Sequence, residues 1–412
     1  MPSISRRLLL AGGSALLALP ARGGTEAAIP FQPWSRGELH IHHIDTGRGN
    51  ATFILGPDGT TMLVDCGASR DGPEVSAPPR PDGSRSPGEW VARYALEHAR
   101  AAGRDSMDYL IATHLHPDHI GDPPEGGAAS EGFVPTGVSD VDRLMPSAVV
   151  IDRSYPDYGR LPPPNAPFTA NYLAWLDARR RGGRRVEAVR VGSDRQISLR
   201  SPRAFPGFSV RALAANGRVW TGQGEASRDL FPDIAGLAPE DRPTENMCSV
   251  ALRIGYGKFG YFTGGDLVAD TRDGAFPWMD VESPAARAAG RVEVAAADHH
   301  GYFDACGPDF VRALDARAYV IPGWHVTHPG QMQLQRLLGA WRGKAQRDVF
   351  ALEMLPENRL VNARFANQLR STQGHVVVKV APGGDSYRIL VLDSGRDRGG
   401  VLFESASYLC RG

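Results

Sequence analysis

The chain of 412 residues carries 46 basic and 46 acidic side chains, so its formal net charge is zero. Hydrophobic residues make up 42% and charged residues 22%, which are globular proportions that exclude a disordered or fibrous chain. The neutral total argues against a generally basic nucleic-acid-binding protein, and the four scattered cysteines are too few for a disulfide scaffold.

The first residues have the pattern of an export signal. Arg6 and Arg7 precede an apolar stretch at 8–19, which is too short to span a bilayer as a helix and is followed by small residues. The string SRRLLL is similar to a twin-arginine signal, which an export receptor recognises. We therefore expect a signal peptide over 1–28 and a periplasmic or otherwise exported mature protein without a membrane span.

The next part of the chain predicts strands, a helix and a long irregular segment. Residues 38–65 alternate between apolar and polar positions around glycine turns, which is typical of a strand meander. A helix is predicted over 88–102, where apolar residues recur at helical spacing, and a short buried strand over 108–113. Proline and glycine are frequent in 121–167, so we expect a loop-rich insertion there.

The second half of the chain continues this mixture. Strand pairs are predicted over 186–214 and 247–264, and short strands then alternate with helices up to a closing hairpin. This order favours an α/β fold in which two sheets are flanked by helices. We expect one domain over 37–395, followed by a C-terminal tail over 396–412.

The loop after the strand at 108–113 concentrates ionisable side chains. His114, His116 and His119 lie within six residues, with Asp118 between the last two. Imidazole and carboxylate groups are ligands for zinc, iron or manganese. A solvated loop seldom gathers three histidines and an aspartate in this way, so the sequence predicts a metal site here.

Three later segments place histidine or aspartate after a predicted strand. The strand FGYFT is followed by GGD, which ends at Asp266, and the next strand ends in DHHG over 298–301. The strand after that is followed by His325 and His328. Because strand ends line ligand sites in α/β folds, these segments are predicted to form one site with the cluster at 114–119.

The segment THLHPDHIGD contains the HxHxDH signature of the metallo-β-lactamase superfamily, which the chain resembles. The ordered series THLHPDHIGD, FTGGD, HHG and HP, within about residues 38–330, is also similar to the hydrolase domain of ComEC-type DNA-uptake proteins and to phosphorylcholine esterases. The resemblance implies a four-layer αββα sandwich of two mixed β-sheets flanked by helices. It also implies a dinuclear metal site at the strand ends between the sheets.

The resemblance further implies a ligand set for the two metals. His114 and His116 would bind the first metal, and Asp118 and His119 would bind the second. Asp266 would bridge the two.

The same resemblance implies roles for residues around these ligands. His300 would complete the ligands of the second metal and His299 would contact the substrate, with the reverse assignment left open. Asp65 matches the family's aspartate that orients the site from behind the ligands. His328 matches a downstream histidine that contacts substrate or acts as an acid, and His325 is included only as its neighbour.

The chain departs from the family pattern in two places. The interval 120–298 contains no histidine, whereas lactamases, glyoxalases and mononuclear iron dioxygenases take a third ligand for the first metal from this interval. Asn246 or Glu245 is the candidate replacement. Residues 47–50 are GRGN where the family has GQGD, so Arg48 is a candidate contact for an anionic substrate.

Five further histidines lie outside this series, and three of them, His40, His42 and His43, lie in the first predicted strand. The alternation of the first strand places His40 and His42 on one face of the sheet. His98 lies in the predicted helix at 88–102, and His375 begins a strand of the closing hairpin. We interpret the three strand histidines as structural residues, and His98 and His375 as structural or exposed.

These features favour an exported dinuclear metal-dependent hydrolase. Two divalent cations, zinc or manganese, would share a bridging hydroxide that Asp118 helps to position, and His299 or His328 would donate a proton. The expected substrate is a phosphodiester or related phosphate ester, a small or polymeric anion, and no stable nucleic-acid complex is expected. The alternatives are a lactamase- or lactonase-like acyl hydrolase, an iron redox protein and a metal-free binding module on the same fold.

Overall fold

A computed structural model of the chain describes residues 31–129 and 131–412. The predicted signal peptide at 1–28 lies outside the described residues. Within these two ranges the chain forms two mixed β-sheets with helices on their outer faces, which confirms the predicted αββα fold class. In the same ranges, every helix is too short or too polar to cross a membrane.

The strands and helices have the following bounds. The strands are β1 Leu39–His43, β2 Thr52–Leu55, β3 Thr61–Val64, β4 Met107–Ile111, β5 Ser147–Asp152, β6 Arg185–Ala188, β7 Phe208–Ala215, β8 Arg218–Trp220, β9 Ser227–Asp229, β10 Ala251–Tyr256, β11 Phe259–Thr263, β12 Val294–Ala296, β13 Ala318–Ile321, β14 Asp348–Ala351, β15 His375–Val380, β16 Ser386–Leu392, β17 Val401–Glu404 and β18 Tyr408–Leu409. The α-helices are α1 Pro87–Ala99, α2 Pro117–Ile120, α3 Val138–Leu144, α4 Pro167–Arg181, α5 Glu282–Ala289, α6 Pro308–Leu314, α7 Gln331–Leu338, α8 Pro356–Val361 and α9 Ala363–Ala366.

The first sheet has the order β17-β16-β15-β1-β2-β3-β4-β5-β6, with β18 paired to β16, and the second has the order β14-β13-β12-β11-β10-β7-β8-β9. The antiparallel pair β10–β11 confirms the strand pair predicted over 247–264. The pair predicted over 186–214 is wrong, because β6 ends the first sheet whereas β7 lies in the second. The range 121–167, predicted to be rich in loops, also contains α3 and β5, an internal strand of the first sheet.

Three apolar cores separate the layers. Ile41 and Ile54 of the first sheet pack with Ile254 and Val294 of the second to fill the space between the sheets. The outer face of the first sheet is covered by α1, α3 and α4, and the outer face of the second by α5, α6 and α7. Since burial of apolar surface is the main stabilising term in folding, these cores fix the relative position of the two sheets.

Helix α1 shows how local sequence sets an element boundary. Ser86 caps the helix by accepting a hydrogen bond from the backbone N–H of Glu89, whose carboxylate accepts in turn from the backbone N–H of Ser86. Pro87 occupies the first helical position, where its missing N–H costs no hydrogen bond. The helix predicted over 88–102 is therefore confirmed, beginning at Pro87 and ending at Ala99.

The strands that precede the predicted ligands end at one edge of the molecule. In the first sheet β4 runs parallel to β3 and β5, and in the second β12 runs parallel to β11 and β13. Parallel strands present their carboxyl ends together, so the loops that follow them meet at that edge. The segments at 113–121, 264–266 and 297–301 follow β4, β11 and β12, respectively.

A second histidine cluster lies on the outer face of the first sheet, beside α1. The rings of His42 and His98 have centroids 4.4 Å apart, and Tyr94 lies 4.4 Å from His98 and 4.7 Å from His375. Burial lowers the pKa of His98 and of His375 to about 3. These histidines therefore pack as neutral rings near neutral pH.

This cluster should make the fold sensitive to acid. In the unfolded chain a histidine protonates near pH 6.5, so between pH 6.5 and about 3 the unfolded state binds more protons than the folded state. As the pH is lowered through this range, the free energy of unfolding should therefore fall by up to about 1.4 kcal/mol per pH unit for each such histidine. Urea unfolding of wild type and His98→Phe at pH 7 and pH 5 tests this, since the variant should lose part of the pH dependence. Identical pH dependence in the two proteins would contradict the prediction.

Candidate metal centre

Two groups of potential metal ligands converge where the loops after β4, β11 and β12 meet. Within each group, one ligand atom of every residue lies within 4.8 Å of one ligand atom of every other. The first group is His114, His116 and Asp266, and the second is Asp118, His119, Asp266 and His300.

Asp266 faces both groups. Its Oδ2 atom lies 3.6 Å from His114 Nε2 and 3.5 Å from His300 Nε2, and its Oδ1 atom lies 3.0 Å from His119 Nε2. The carboxylate is almost fully buried, at 2% exposure, and Oδ1 has no well-aligned hydrogen bond to any described residue despite the short contact to His119. A buried carboxylate oxygen without a hydrogen bond is costly unless a cation compensates it.

The second group brings nitrogen atoms of two imidazoles together. His119 Nε2 lies 3.3 Å from His300 Nε2, and Asp118 Oδ2 lies 2.9 Å from the same atom of His300. Imidazole nitrogens and carboxylate oxygens are the ligands that zinc and similar divalent ions prefer. The donor set, its burial and the uncompensated oxygen of Asp266 therefore fit metal binding.

Hydrogen bonds on the far side of two rings fix which nitrogen faces the site. Nδ1 of His119 donates to Asp65 Oδ2 at 2.8 Å, and Nδ1 of His300 donates to the carbonyl of Pro322 at 2.9 Å. Asp65 is itself held by the backbone N–H and the hydroxyl of Thr113, both at 2.7 Å. Partners of this kind orient metal-binding histidines. Asp65 contacts His119 in this way, and its role in orienting a metal ligand stays a prediction.

The backbone of the DHHG turn directs its two histidines to different places. His299 and His300 both adopt left-handed conformations, with φ of 45° and 54°, so their side chains diverge. His300 enters the second ligand group, whereas His299 Nε2 lies 3.8 Å from Asp266 and 3.2 Å from the amide nitrogen of Asn246. His300 is therefore the histidine of this turn that belongs to a ligand group, while its role as a ligand and the substrate contact of His299 stay predictions.

Asp304 is a site residue that the sequence analysis missed. Its carboxylate accepts a hydrogen bond of 2.6 Å from Nδ1 of His299. The bond leaves Nε2 of His299 free to face Asp266 and Asn246. No spacing rule connects residues five positions apart in an irregular loop, so the sequence offers no signal for this contact.

Glu245 does not fill the place of the missing histidine, so this candidate replacement is wrong. Its carboxylate accepts from Nε and Nη2 of Arg153, at 2.7 and 2.8 Å, and from the backbone N–H of Leu115 at 2.8 Å. These bonds hold the carboxylate among protein groups rather than among the ligands. Asn246 lies next to His299, with its amide nitrogen 3.2 Å from Nε2 of that ring, and its role as the replacement stays a prediction.

The two downstream histidines differ in position. His328 is buried and stacks on His300, with centroids 4.8 Å apart and an interplanar angle of 18°. His325 is less buried, and its Nδ1 forms a hydrogen bond of 2.8 Å with the hydroxyl of Thr327. Neither histidine belongs to the ligand groups, and the acid role of His328 stays a prediction.

The loop at 47–50 packs against the backbone of Asp118. The N–H of Asn50 donates to the carbonyl of Asp118 at 2.8 Å, and a Cβ atom added to Gly67 would lie 1.6 Å from the same oxygen. Only glycine fits at position 67. The Arg48 guanidinium donates to the carbonyl of Asp71 in the neighbouring loop.

The electrostatics differ between the two groups. Burial by itself would raise the pKa of Asp118, but the neighbouring His119 and His300 hold it well below its usual range. Burial lowers the pKa of His300, yet Asp266 and Asp118 raise it to about 9. In His114 burial prevails and lowers the pKa well below its usual value. The second group thus attracts positive charge, and a metal bound there would displace a proton.

An αββα sandwich with a buried histidine–aspartate cluster at its strand ends is the architecture of a metal-dependent hydrolase. The model of the metallo-beta-lactamase superfamily matches residues 44–125, a range that includes β2 to β4 and the HxHxDH segment. Residues 44–125 of the chain are therefore similar to this hydrolase superfamily. No curated protein matches the chain.

Proposed function

We propose that the protein is a hydrolase of phosphodiesters or related phosphate esters that uses two divalent cations, zinc or manganese. The observation that carries the proposal is the position of Asp266, which belongs to both ligand groups. His114 and His116 would hold one cation with it. Asp118, His119 and His300, which complete the other group, would hold the second.

A pair of divalent cations at such a site lowers the pKa of a water molecule and stabilises negative charge that develops on phosphoryl oxygens. The protein's own contribution is to place its polar groups around that charge. The Asp118 carboxylate, whose pKa is held low, remains ionised as a ligand throughout the neutral pH range.

The polar groups beside the first ligand group favour a phosphoryl substrate. The interval 120–298 lacks the third histidine of related acyl hydrolases, and beside the first ligand group lie the imidazole of His299 and the amide of Asn246, 3.2 Å apart. Asp304 holds His299 through Nδ1, so Nε2 can bind an oxygen of the substrate or carry a proton to the leaving group. The Asn246 amide can donate a hydrogen bond to a second oxygen.

A direct test compares three substrate classes. Purified protein loaded with zinc or manganese is assayed with bis-p-nitrophenyl phosphate, nitrocefin and a thioester. We expect turnover of the phosphodiester and its loss in His116→Ala. Turnover confined to nitrocefin or to the thioester would contradict the proposal and support an acyl hydrolase, whereas bound iron would support a redox protein.

Replacing Asp304 tests the proposed role of His299. We expect Asp304→Asn to lower kcat by about 10- to 100-fold with little change in KM, because the imidazole loses the partner that orients it. Asp304→Glu should restore part of the rate. Asp309→Asn, at a surface ion pair with Arg287, is the matched control and should keep full activity. Equal kcat values for Asp304→Asn and the control would contradict the prediction.

We also propose that the protein is exported. The proposal is supported by the twin-arginine-like sequence at 5–10 and the short apolar stretch at 8–19. Fractionation of cells that express the full chain should recover the protein from the periplasm. Recovery of the wild-type protein from the cytoplasm alone would contradict the proposal. The same periplasmic fraction in Arg6→Lys/Arg7→Lys as in wild type would contradict the role of the two arginines.

A further inference from the structure

A cavity of about 430 Å³ lies beside the segment 244–248, outside both ligand groups. Small-molecule sites usually occupy about 300–1,000 Å³, so the cavity is large enough for a compact organic ligand. Its walls are mainly apolar and include Leu161, Pro162 and Ile234. Apolar walls with a few polar groups are the usual composition of a ligand site.

The charged groups around the cavity leave an excess of positive charge. Glu245 lines the cavity, but its charge is compensated by the buried guanidinium of Arg153. Arg160 also lines it and is paired with Asp229 at the surface. Arg242 is exposed and forms no ion pair with any residue of the described ranges. Its guanidinium is therefore available to a carboxylate, phosphate or sulfonate.

The cavity borders the metal centre through one short segment. Glu245, on the cavity wall, accepts the backbone N–H of Leu115, which lies between two histidines of the first group. The next residue, Asn246, contacts His299. A ligand in the cavity would thus contact the segment that holds the loop at 113–121, without contacting the residues of the two ligand groups.

We infer that this cavity is a second ligand site, which binds a small organic anion with an apolar body alongside the metal centre. The apolar body would occupy the space between Leu161, Pro162 and Ile234, and the anionic group would face Arg242. This site goes beyond the proposed hydrolysis and does not depend on it, because none of its lining residues is a metal ligand.

Isothermal titration with naphthalene-1-sulfonate tests the inference on the metal-loaded protein and on protein stripped with a chelator. We expect saturable binding of one molecule per chain in both states, unchanged by saturating inorganic phosphate. The matched cation naphthalene-1-methylammonium should bind at least about tenfold more weakly. Absence of saturable binding, loss of binding with phosphate or chelator, or equal affinity for the two probes would overturn the inference.

Three variants locate the probe. Arg242→Ala should weaken binding by about fivefold, the size expected for one exposed ion pair. Ala235→Trp should weaken it by at least about tenfold, because Ala235 is an exposed residue of the cavity wall and the larger ring would fill the cavity. Arg359→Ala, which removes an exposed arginine of α8, is the control and should leave the affinity unchanged. Wild-type affinity in both cavity variants would place the probe elsewhere and overturn the assignment.

Discussion

On the proposed two-metal hydrolase, replacing Asp266 by alanine is expected to remove both metals and to lower the rate of ester hydrolysis by at least about a thousandfold. The reason is geometric, since the carboxylate lies within 3.6 Å of His114, His119 and His300 and belongs to both ligand groups. Removing His116, by contrast, takes a ligand only from the first group. Elemental analysis of the purified proteins should therefore show about two metals in wild type, about one in His116→Ala and close to none in Asp266→Ala.

A neighbouring histidine provides the control for this series. His325 lies close to the buried His328, with ring centroids 5.4 Å apart, but belongs to neither ligand group. His325→Ala should keep both metals. Circular dichroism should show that Asp266→Ala retains its fold, because the three apolar cores are untouched. Two metals per chain in a folded Asp266→Ala protein would refute the shared-carboxylate arrangement.

The parts of the site that sequence could predict are those that a short segment specifies. Four of the proposed ligands lie in one loop over 114–119, and the position of that loop after a buried strand follows from local hydrophobicity. The ends of neighbouring parallel strands meet, so Asp266 and His300 could also be assigned to the same edge. The pairing of strands in the two sheets was less predictable. β6 and β7 are neighbours in sequence but lie in different sheets, and the local pattern has no information about that separation.

The contacts that sequence could not predict depend on backbone conformation and on distant parts of the chain. The left-handed turn at His299 and His300 sends two adjacent side chains to different groups, and no periodicity encodes it. The histidine cluster of the first sheet joins His42, His98 and His375, which are separated by up to 333 positions. Each of these residues is unremarkable in its own segment, and only the tertiary fold brings them together.

The ion pair between Arg153 and Glu245 is buried, and its loss is expected to lower the stability of the fold. Arg153 is almost fully buried, at 1% exposure, and donates to Glu245, to the side chain of Asn216 and to the carbonyl of Leu161. Replacing it with methionine would leave the Glu245 carboxylate buried without its partner. We expect Arg153→Met to lower the free energy of unfolding by about 3–5 kcal/mol. Urea unfolding at pH 7 measures the change.

Two comparisons separate the loss of charge pairing from the loss of packing. Arg153→Met/Glu245→Gln should recover part of the stability, because a neutral amide is less costly to bury and can still accept from the backbone N–H of Leu115. Arg143→Met, which removes a half-exposed arginine from surface ion pairs, should cost less than about 1 kcal/mol. A loss in Arg153→Met no larger than in Arg143→Met would refute the prediction.

The same ion pair should also affect metal binding. Glu245 accepts the backbone N–H of Leu115, so a displaced carboxylate would loosen the loop between His114 and His116. The loss of such an outer contact typically weakens metal affinity by about 10- to 100-fold. We expect Arg153→Met to lose metal from the first group at lower chelator concentrations than wild type, while the second group, held by Asp65 behind His119, keeps its metal. Equal loss from both groups would instead indicate a general effect of instability.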